Sequence, residues 1–292
     1  MNKNLNKIAL TGLSVDKKHE DIIKSIVDIL LKEEKNIFIE DNLVNSFDSL
    51  REYRSSPDQI EKNCDLLISI GGDGTIINTA KKYGIKGIPI LGINFGSLGF
   101  LTDIAPDNIK KSLPSILKGE FKIDNRSFLQ SKLNSSLLKQ KALNEIVLHS
   151  GAVAKMIEFD VFIDGEFVYK QRADGLIVFS STGSTAYSLS GGGPLIHPDL
   201  NIIGVMPMFP HSLNTTPIII DQHKKVRIVL NKIDSNQNSE LSFDGQENID
   251  IKEGSSIEIS KSKEEVSLIH PLDNEYFFGC RSKLGWGKSI LE

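Results

Sequence analysis

Apolar residues in the first part of the chain alternate between short continuous runs and a helical pattern. Residues 7–12 and 65–70 are apolar runs of strand length, and residues 16–35 carry apolar side chains at helical spacing. Strands alternating with helices favour a parallel, doubly wound sheet. We assign residues 1–120 to this α/β domain, with further strands predicted at 36–40 and 88–93 and further helices at 75–83 and 106–118.

After about residue 120 the helical periodicity disappears and short β-like runs follow one another. Asp164-Gly165 stands between two of these runs and predicts a two-residue hairpin turn. We therefore predict an all-β domain resembling a sandwich over residues 121–271. Residues 272–292 lose the pattern, and we expect them to pack back on the first domain. The predicted strands of this part are 144–149, 156–163, 166–171, 175–179, 225–230, 240–243, 256–259 and 266–269.

Charge and composition exclude several classes of function. The net charge is −4 and no basic tract is present, which argues against a nucleic-acid partner. No apolar run approaches the roughly 20 residues of a membrane-spanning helix. The first twelve residues lack the apolar segment of a signal peptide. Cys64 and Cys280 lie far apart without a metal or redox spacing, so a cytoplasmic protein with free thiols is expected.

The glycine-rich turn Gly71-Gly72-Asp73-Gly74-Thr75 lies between a predicted strand and a predicted helix. Glycines let a ligand approach the main chain, and a helix N-terminus favours phosphate. Asp73 suggests a second task, since a carboxylate repels phosphate: it could accept a proton from a hydroxyl or help to hold Mg²⁺. The simpler alternative is a tight turn in which Asp73 only caps the helix. The spacing matches neither a Walker A loop nor a dinucleotide fingerprint.

A second group of small polar residues follows the strand predicted at 175–179. The segment 182–193 alternates hydroxyl side chains with glycines, which would leave the main chain accessible to a polar ligand. Asp174 could bind a hydroxyl pair or an amide, and Arg172 could bind phosphate. The alternative is a flexible surface loop.

These motifs resemble those of known kinases. The turn GGDGT is similar to the nucleotide-binding signature of a superfamily that contains NAD kinases, lipid kinases and, more distantly, phosphofructokinases. The segment 174–194, which includes TGSTAYSLSGGGP, closely resembles the substrate signature of NAD kinases. Further similar segments, in the same order along the chain, are GINFGSLGFL at 92–101, Asn144-Glu145, Asp244-Gly245-Gln246 and KLGWG at 283–287. Departures are Ser181 for the usual Pro, Gly191 for Ala or Ser, and Gly279-Cys280 for a bulkier pair.

The resemblance implies a bacterial NAD kinase that transfers the γ-phosphate of ATP to the adenosine ribose 2′-hydroxyl of NAD. Asp73 would be the catalytic proton acceptor, and Gly71 and Gly72 would bind the donor phosphates with Mg²⁺ or another divalent metal. It further implies a homodimer or homotetramer, with no nucleic-acid or membrane partner. The NAD-binding residues that it implies are Asp73, Gly74, Asn144, Glu145, Lys155, Arg172, Asp174, Thr185, Ala186, Tyr187, Ser188, Leu189, Ser190 and Gln246.

Two other functions stay open at this point. A lipid kinase of the diacylglycerol or sphingosine type shares the first signature, but it would prefer an apolar groove where 172–198 offers hydroxyls, glycines and charges. A non-catalytic NAD(P) sensor would keep the binding segments but would not need the carboxylate of Asp73. For Lys155, a solvated lysine on a strand is an equally good interpretation.

Overall fold

The computed structural model describes residues 5–12, 19–44, 48–95, 99–102, 104–151, 155–212, 214–233 and 239–286. The chain divides into two compact units, Met1–Asn125 with Val266–Glu292, and Arg126–Glu265. The helices are α1 Glu20–Lys32, α2 Asp41–Val44, α3 Pro57–Asn63, α4 Asp73–Lys82, α5 Ile109–Leu117, α6 Tyr187–Ser190 and α7 Tyr276–Leu284. Short 3-10 helices cover Asp48–Tyr53, Gly84–Lys86, Pro106–Asn108 and Thr182–Thr185.

Seventeen strands are found in the part of the chain that the structure describes. They are β1 Lys7–Gly12, β2 Asn36–Glu40, β3 Arg54–Ser55, β4 Leu66–Ile70, β5 Ile90–Ile93, β6 Phe121–Leu133, β7 Ser136–Ala142, β8 Glu145–His149, β9 Ile157–Ile163, β10 Glu166–Ala173, β11 Gly175–Ser180, β12 Ile202–Met208, β13 Ile218–Asp221, β14 Val226–Ile233, β15 Ser239–Phe243, β16 Glu247–Ile251 and β17 Ser256–Pro271.

The first unit is built on a parallel sheet with the strand order β3-β2-β1-β4-β5. Strands β4 and β5 are buried along their whole length, which explains their continuous apolar runs. The chain runs outward from β1 to β3 and then returns to β4 on the other side of β1. The glycine turn follows β4, so it lies at the topological switch point, where open α/β sheets bind ligands.

In helix α1, the apolar residues at helical spacing are the ones that pack in the core. Its buried residues Ile23, Ile26, Val27 and Leu30 lie on one face and join the core of the first unit.

The last helix, α7, also belongs to this unit. The predicted boundaries at residues 120 and 271 stay predictions, and the matched ending at 283–287 is described only up to Trp286.

The second unit consists of two antiparallel layers. One layer has the order β13-β12-β11-β8-β15-β16, and the other contains β10-β9-β14-β17. Side chains from both layers, such as Val161 of β9 and Val178 of β11, form one buried cluster. The predicted fold class, an α/β domain followed by a β-sandwich-like domain, is therefore confirmed. No helix within the described ranges is long and apolar enough to cross a membrane.

Gly204 on β12 supplies a direct test of the second unit's packing. A Cβ at this position would lie 2.1 Å from Cζ of the buried Phe179 on the paired strand β11. We expect Gly204→Ala to destabilise the protein by about 1–3 kcal/mol because the ring must move in a packed core. Urea unfolding measures this loss. In a Phe179→Leu background the same substitution should cost clearly less; an equal cost in both backgrounds would contradict the packing.

Candidate active site

The glycine turn of the first unit combines one constrained glycine with two open ones. Gly71 has φ +150°, and a Cβ there would lie 2.4 Å from Thr75 Oγ1, so a larger residue does not fit. Its N–H donates to the carbonyl of Ile93 at 2.9 Å. A Cβ at Gly72 or Gly74 would meet nothing within 4 Å. The turn therefore presents open main chain at the N-terminus of α4, as a phosphate site requires.

The carboxylate of Asp73 bonds to main-chain groups of a different segment. Asp73 is the first residue of α4, while Gly72 holds the N-cap position without a side-chain bond. Asp73 Oδ2 accepts the N–H of Phe100 at 2.7 Å, and Oδ1 accepts the N–H of Leu101 at 3.0 Å. The alternative in which Asp73 only caps its own helix is therefore wrong. Both oxygens have a fixed direction in the structure.

The segment that holds Asp73 is itself fixed by Thr102. Thr102 Oγ1 accepts the Gly99 N–H at 2.7 Å and an Asn94 Nδ2 hydrogen at 3.1 Å. A Cβ on Gly99 would come within 1.8 Å of Asp73 Oδ1, so only glycine allows this approach. These residues belong to the matched segment GINFGSLGFL at 92–101, of which residues 96–98 lie outside the described residues. Sequence reasoning missed its bond to Asp73, although Gly99 was a signal.

In the second unit, Asn144 and Glu145 are fixed by the carboxylate of Asp244. Asp244 Oδ1 accepts the N–H groups of Asn144 at 2.8 Å and Glu145 at 3.2 Å, and Oδ2 accepts that of Leu143 at 3.0 Å. The Asp244 N–H donates back to the Glu145 carbonyl at 3.0 Å. Asp244 lies in the matched segment Asp244-Gly245-Gln246, but it was not among the predicted site residues.

Glu145 is a buried acid beside this anchor. The residue is 6% exposed, and its Oε2 is buried with no hydrogen-bond partner among the described residues. Burial raises the pKa of Glu145 to about 8, helped by the charge of Asp244 and opposed by a main-chain hydrogen bond from Tyr187. At neutral pH the side chain is therefore mainly a carboxylic acid.

In the segment after β11, serine hydroxyl groups donate hydrogen bonds to main-chain carbonyls of the same segment. Ser188 Oγ donates to the Gly183 carbonyl at 2.9 Å, and Ser184 Oγ donates to the Ser181 carbonyl at 2.8 Å. Both hydroxyl residues are fully buried, so the alternative of a flexible surface loop is wrong. Ser181, which replaces the usual Pro, adds a bond from its Oγ to the carbonyl of Pro198 at 3.2 Å.

The structure brings part of the predicted NAD-binding set together. Tyr187 bonds to Glu145 through its main chain, and its side chain is 45% exposed. Ser190 is exposed, while Thr185, Ala186 and Leu189 are half-buried. Gln246 is exposed and lies in the same turn as Asp244, where its N–H donates to the Phe243 carbonyl.

The remaining predicted residues lie elsewhere on the second unit. Asp174 is half-buried and precedes β11, and its N–H donates to the Met208 carbonyl at 3.0 Å. Lys155 is exposed just before β9. Arg172 is exposed on β10 and lines a pocket of about 590 Å³ with Lys170 and His211. Among the described residues, this lining includes no other member of the predicted set. The roles of all these residues stay predictions.

Family models for two domains of the same protein family match the chain. The ATP-NAD kinase N-terminal domain matches residues 13–121, and the ATP-NAD kinase C-terminal domain matches residues 143–271. The chain belongs to the ATP-NAD kinase family. Among curated relatives, the NAD kinases of Pseudomonas entomophila (strain L48) and Pseudomonas fluorescens (strain SBW25) are 41% and 40% identical over 273 residues, 92% of each chain.

Solved structures agree with this assignment. Yeast NADH kinase complexed with NADH has a TM-score of 0.86 at 25% identity, covering 99% of this chain and 90% of its own. An NAD kinase from Archaeoglobus fulgidus in complex with ATP has a TM-score of 0.74 at 27% identity, covering 96% and 97%. The predicted family and enzyme class are confirmed, so the alternatives of a lipid kinase and a non-catalytic sensor are wrong.

The raised pKa of Glu145 makes the stability of the protein depend on pH. The folded-state pKa of about 8 lies above the usual 4.5, so the folded state binds this proton more tightly than the unfolded chain does. Its contribution to the free energy of unfolding is complete below pH 4.5 and is lost as pH rises through about 8. Urea unfolding between pH 5 and pH 9 should therefore show a decline that is smaller in Glu145→Gln.

The matched control is Glu166→Gln, which removes an exposed carboxyl from the same unit. In this variant the free energy of unfolding should decline with pH as it does in the wild type. If Glu145→Gln and wild type lost stability equally over this range, the neutral state of Glu145 would be excluded.

Proposed function

We propose that the chain transfers the γ-phosphate of ATP to the 2′-hydroxyl of the adenosine ribose of NAD, giving NADP. The observation that carries this proposal is the Asp73 carboxylate, oriented by two main-chain N–H groups at the open N-terminus of α4. The structural neighbours complexed with ATP and with NADH support a nucleotide donor and a dinucleotide acceptor.

Gly71, Gly72 and the N-terminus of α4 form the donor side of the proposed reaction. The open main chain at Gly72 lets phosphate oxygens approach the N–H groups that begin the helix. No cluster of three or more His, Cys, Asp or Glu residues that could hold a metal occurs within the described ranges. A divalent ion would be held mainly by the ATP phosphates that the turn binds, which leaves the Asp73 carboxylate for the hydroxyl proton. When bound, Mg²⁺ would neutralise charge on the transferred group.

Asp73 is the proposed proton acceptor. As the bond between the 2′-oxygen and the γ-phosphorus forms and the bond to ADP breaks, the hydroxyl proton passes to a carboxylate oxygen of Asp73. Each oxygen already accepts one N–H group and keeps a further lone pair for this proton. Because the transition state is loose, the fixed direction of the carboxylate matters more than its strength as a base.

The second unit supplies the proposed acceptor side. Asn144 and Glu145 bind the ribose hydroxyls, with Glu145 as a neutral acid that can both donate and accept a hydrogen bond. A neutral Glu145 also avoids repulsion of the negatively charged dinucleotide. The exposed ring of Tyr187 can stack on a base.

The other proposed roles rest on the resemblance to the family. Asp174 would bind the nicotinamide end or its ribose, and Lys155 and Arg172 would bind the diphosphate. The remaining contacts to NAD would come from Gly74, Thr185, Ala186, Ser188, Leu189, Ser190 and Gln246. Ser188 would act mainly through its main chain, because its hydroxyl is bonded to Gly183. The cytoplasmic location and the homodimer or homotetramer stay predictions.

Incubation with NAD, ATP and Mg²⁺, followed by a dehydrogenase assay specific for NADP, tests the proposed reaction. NADP should accumulate with time and in proportion to the enzyme. Diacylglycerol offered in place of NAD should not be phosphorylated. If ATP were consumed without NADP being formed, the proposed reaction would be wrong.

Asp73→Asn tests the proton-acceptor role. We expect turnover to fall about 10²-fold or more, since the amide cannot take the hydroxyl proton. The amide also keeps only one oxygen for the two N–H groups, so the substitution disturbs the segment of Phe100 and Leu101 as well.

Thr102→Val is the matched control, because it removes the acceptor of the Gly99 N–H and leaves the carboxylate in place. Its turnover should fall less than about tenfold. Equal losses in the two variants would assign Asp73 a structural role instead.

A further inference from the structure

The turn that carries Asp244 has a close counterpart elsewhere in the second unit. Asp244 and Gly245 have φ values of +54° and +64°, and Asp164 and Gly165 have +49° and +88°. Each pair lies in a hairpin loop, a three-residue loop at 244–246 between β15 and β16 in the first case and a two-residue loop at 164–165 between β9 and β10 in the second. An Asp-Gly or Asn-Gly pair suits such a turn, so the turn alone does not require a carboxylate at residue 244.

The contacts of the Asp244 side chain go beyond the needs of the turn. Its two oxygens accept three successive main-chain N–H groups, those of Leu143, Asn144 and Glu145, at 2.8–3.2 Å. An asparagine would offer one oxygen for these donors and would turn its own N–H groups toward one of them. The carboxylate of Asp244 therefore stabilises the start of β8 rather than its own hairpin loop.

The same carboxylate lies close to the buried side chain of Glu145. Glu145 is faced by Asp244 from the β15–β16 turn, by the Tyr187 N–H from α6, and by the apolar Phe179 of β11 on the paired strand. Of these three, Asp244 is the group whose charge raises the pKa of Glu145. A second negative charge in this buried place is unfavourable, so ionised Asp244 favours the neutral form of Glu145.

We propose that Asp244 is a positioning residue for NAD, which fixes the Asn144–Glu145 pair through the three main-chain N–H groups that its carboxylate accepts. This inference rests on the proposed function, in which that pair binds the ribose hydroxyls. Asp244 acts through these neighbours, whose main chain its carboxylate holds.

Asp244→Asn is the test, because asparagine keeps the left-handed turn and removes the charge and one acceptor. The KM for NAD should rise on the order of tenfold, with a smaller change in kcat and with the KM for ATP within about twofold of wild type. In the wild type the KM for NAD should increase above about pH 8, where Glu145 ionises. In Asp244→Asn this increase should begin at lower pH, because the pKa of Glu145 falls when the neighbouring charge is removed.

Asp164→Asn is the matched control. It makes the same chemical change at another left-handed Asp that precedes Gly in a hairpin loop, but the Asp164 carboxylate bonds to Lys225 N–H and Lys224 Nζ, at 2.9 and 2.8 Å. It should leave the KM for NAD and its pH dependence as in wild type. If Asp244→Asn behaved like Asp164→Asn in both respects, the positioning role would be overturned.

A measurement without substrate separates this inference from the proposed reaction. Hydrogen exchange of the full chain should show faster exchange of the amides of residues 143–145 in Asp244→Asn than in wild type or Asp164→Asn; equal rates would overturn the anchoring. Calorimetry with NAD alone should show weaker binding on the order of tenfold in Asp244→Asn. Should the wild type bind NAD but form no NADP, the proposed reaction fails, and this difference in binding still supports the positioning role.

Discussion

The hydrogen bond from a main-chain N–H group to a carboxylate fixes the candidate site residues within each unit. In the first unit Asp73 accepts the N–H groups of Phe100 and Leu101, which are 27 and 28 residues away in sequence. In the second unit Asp244 accepts three N–H groups about 100 residues away. A carboxylate suits this task because it has several lone pairs and its charge strengthens each bond. The orientation of the site residues therefore depends on tertiary structure and not on local turns.

The two anchors have different consequences for the chemistry. Asp73 is half-buried at a helix N-terminus beside open glycines, so it can serve both as the anchored group and as the proposed reacting group. Asp244 places its charge beside the buried Glu145, where two ionised carboxyl groups are unfavourable together. In the second unit, the carboxylate of Asp244 therefore binds the main chain, while the carboxyl group of Glu145 stays neutral. A neutral acid suits a ligand whose own phosphates are negative.

The fold was predictable where burial is continuous and less so where strands carry polar residues. The apolar runs of β1, β4 and β5 are buried along nearly their whole length and were found from the sequence. Strand β6 was missed because Lys, Asp, Asn, Arg, Ser and Gln interrupt its thirteen residues. Strand β12 was missed because Gly204 and Pro207 are unfavourable for strands. In the structure Gly204 makes room for the Phe179 ring, a reason that only the tertiary contact reveals.

In the site, the sequence indicates the functional side chains but not the main-chain groups that they contact. Asp73, Asn144 and Glu145 are recognisable by residue type, but the N–H donors of Phe100 and Leu101 belong to the main chain, which every residue except proline carries. The glycines illustrate the point best. We expected Gly183 to leave the main chain open to a ligand, yet it is buried, and a Cβ there would lie 2.2 Å from the Asn144 carbonyl oxygen. This signature glycine therefore lets the segment that begins at Thr182 pack directly on the Asn144–Glu145 pair. The glycine is therefore needed for the position of that pair rather than for access to the main chain.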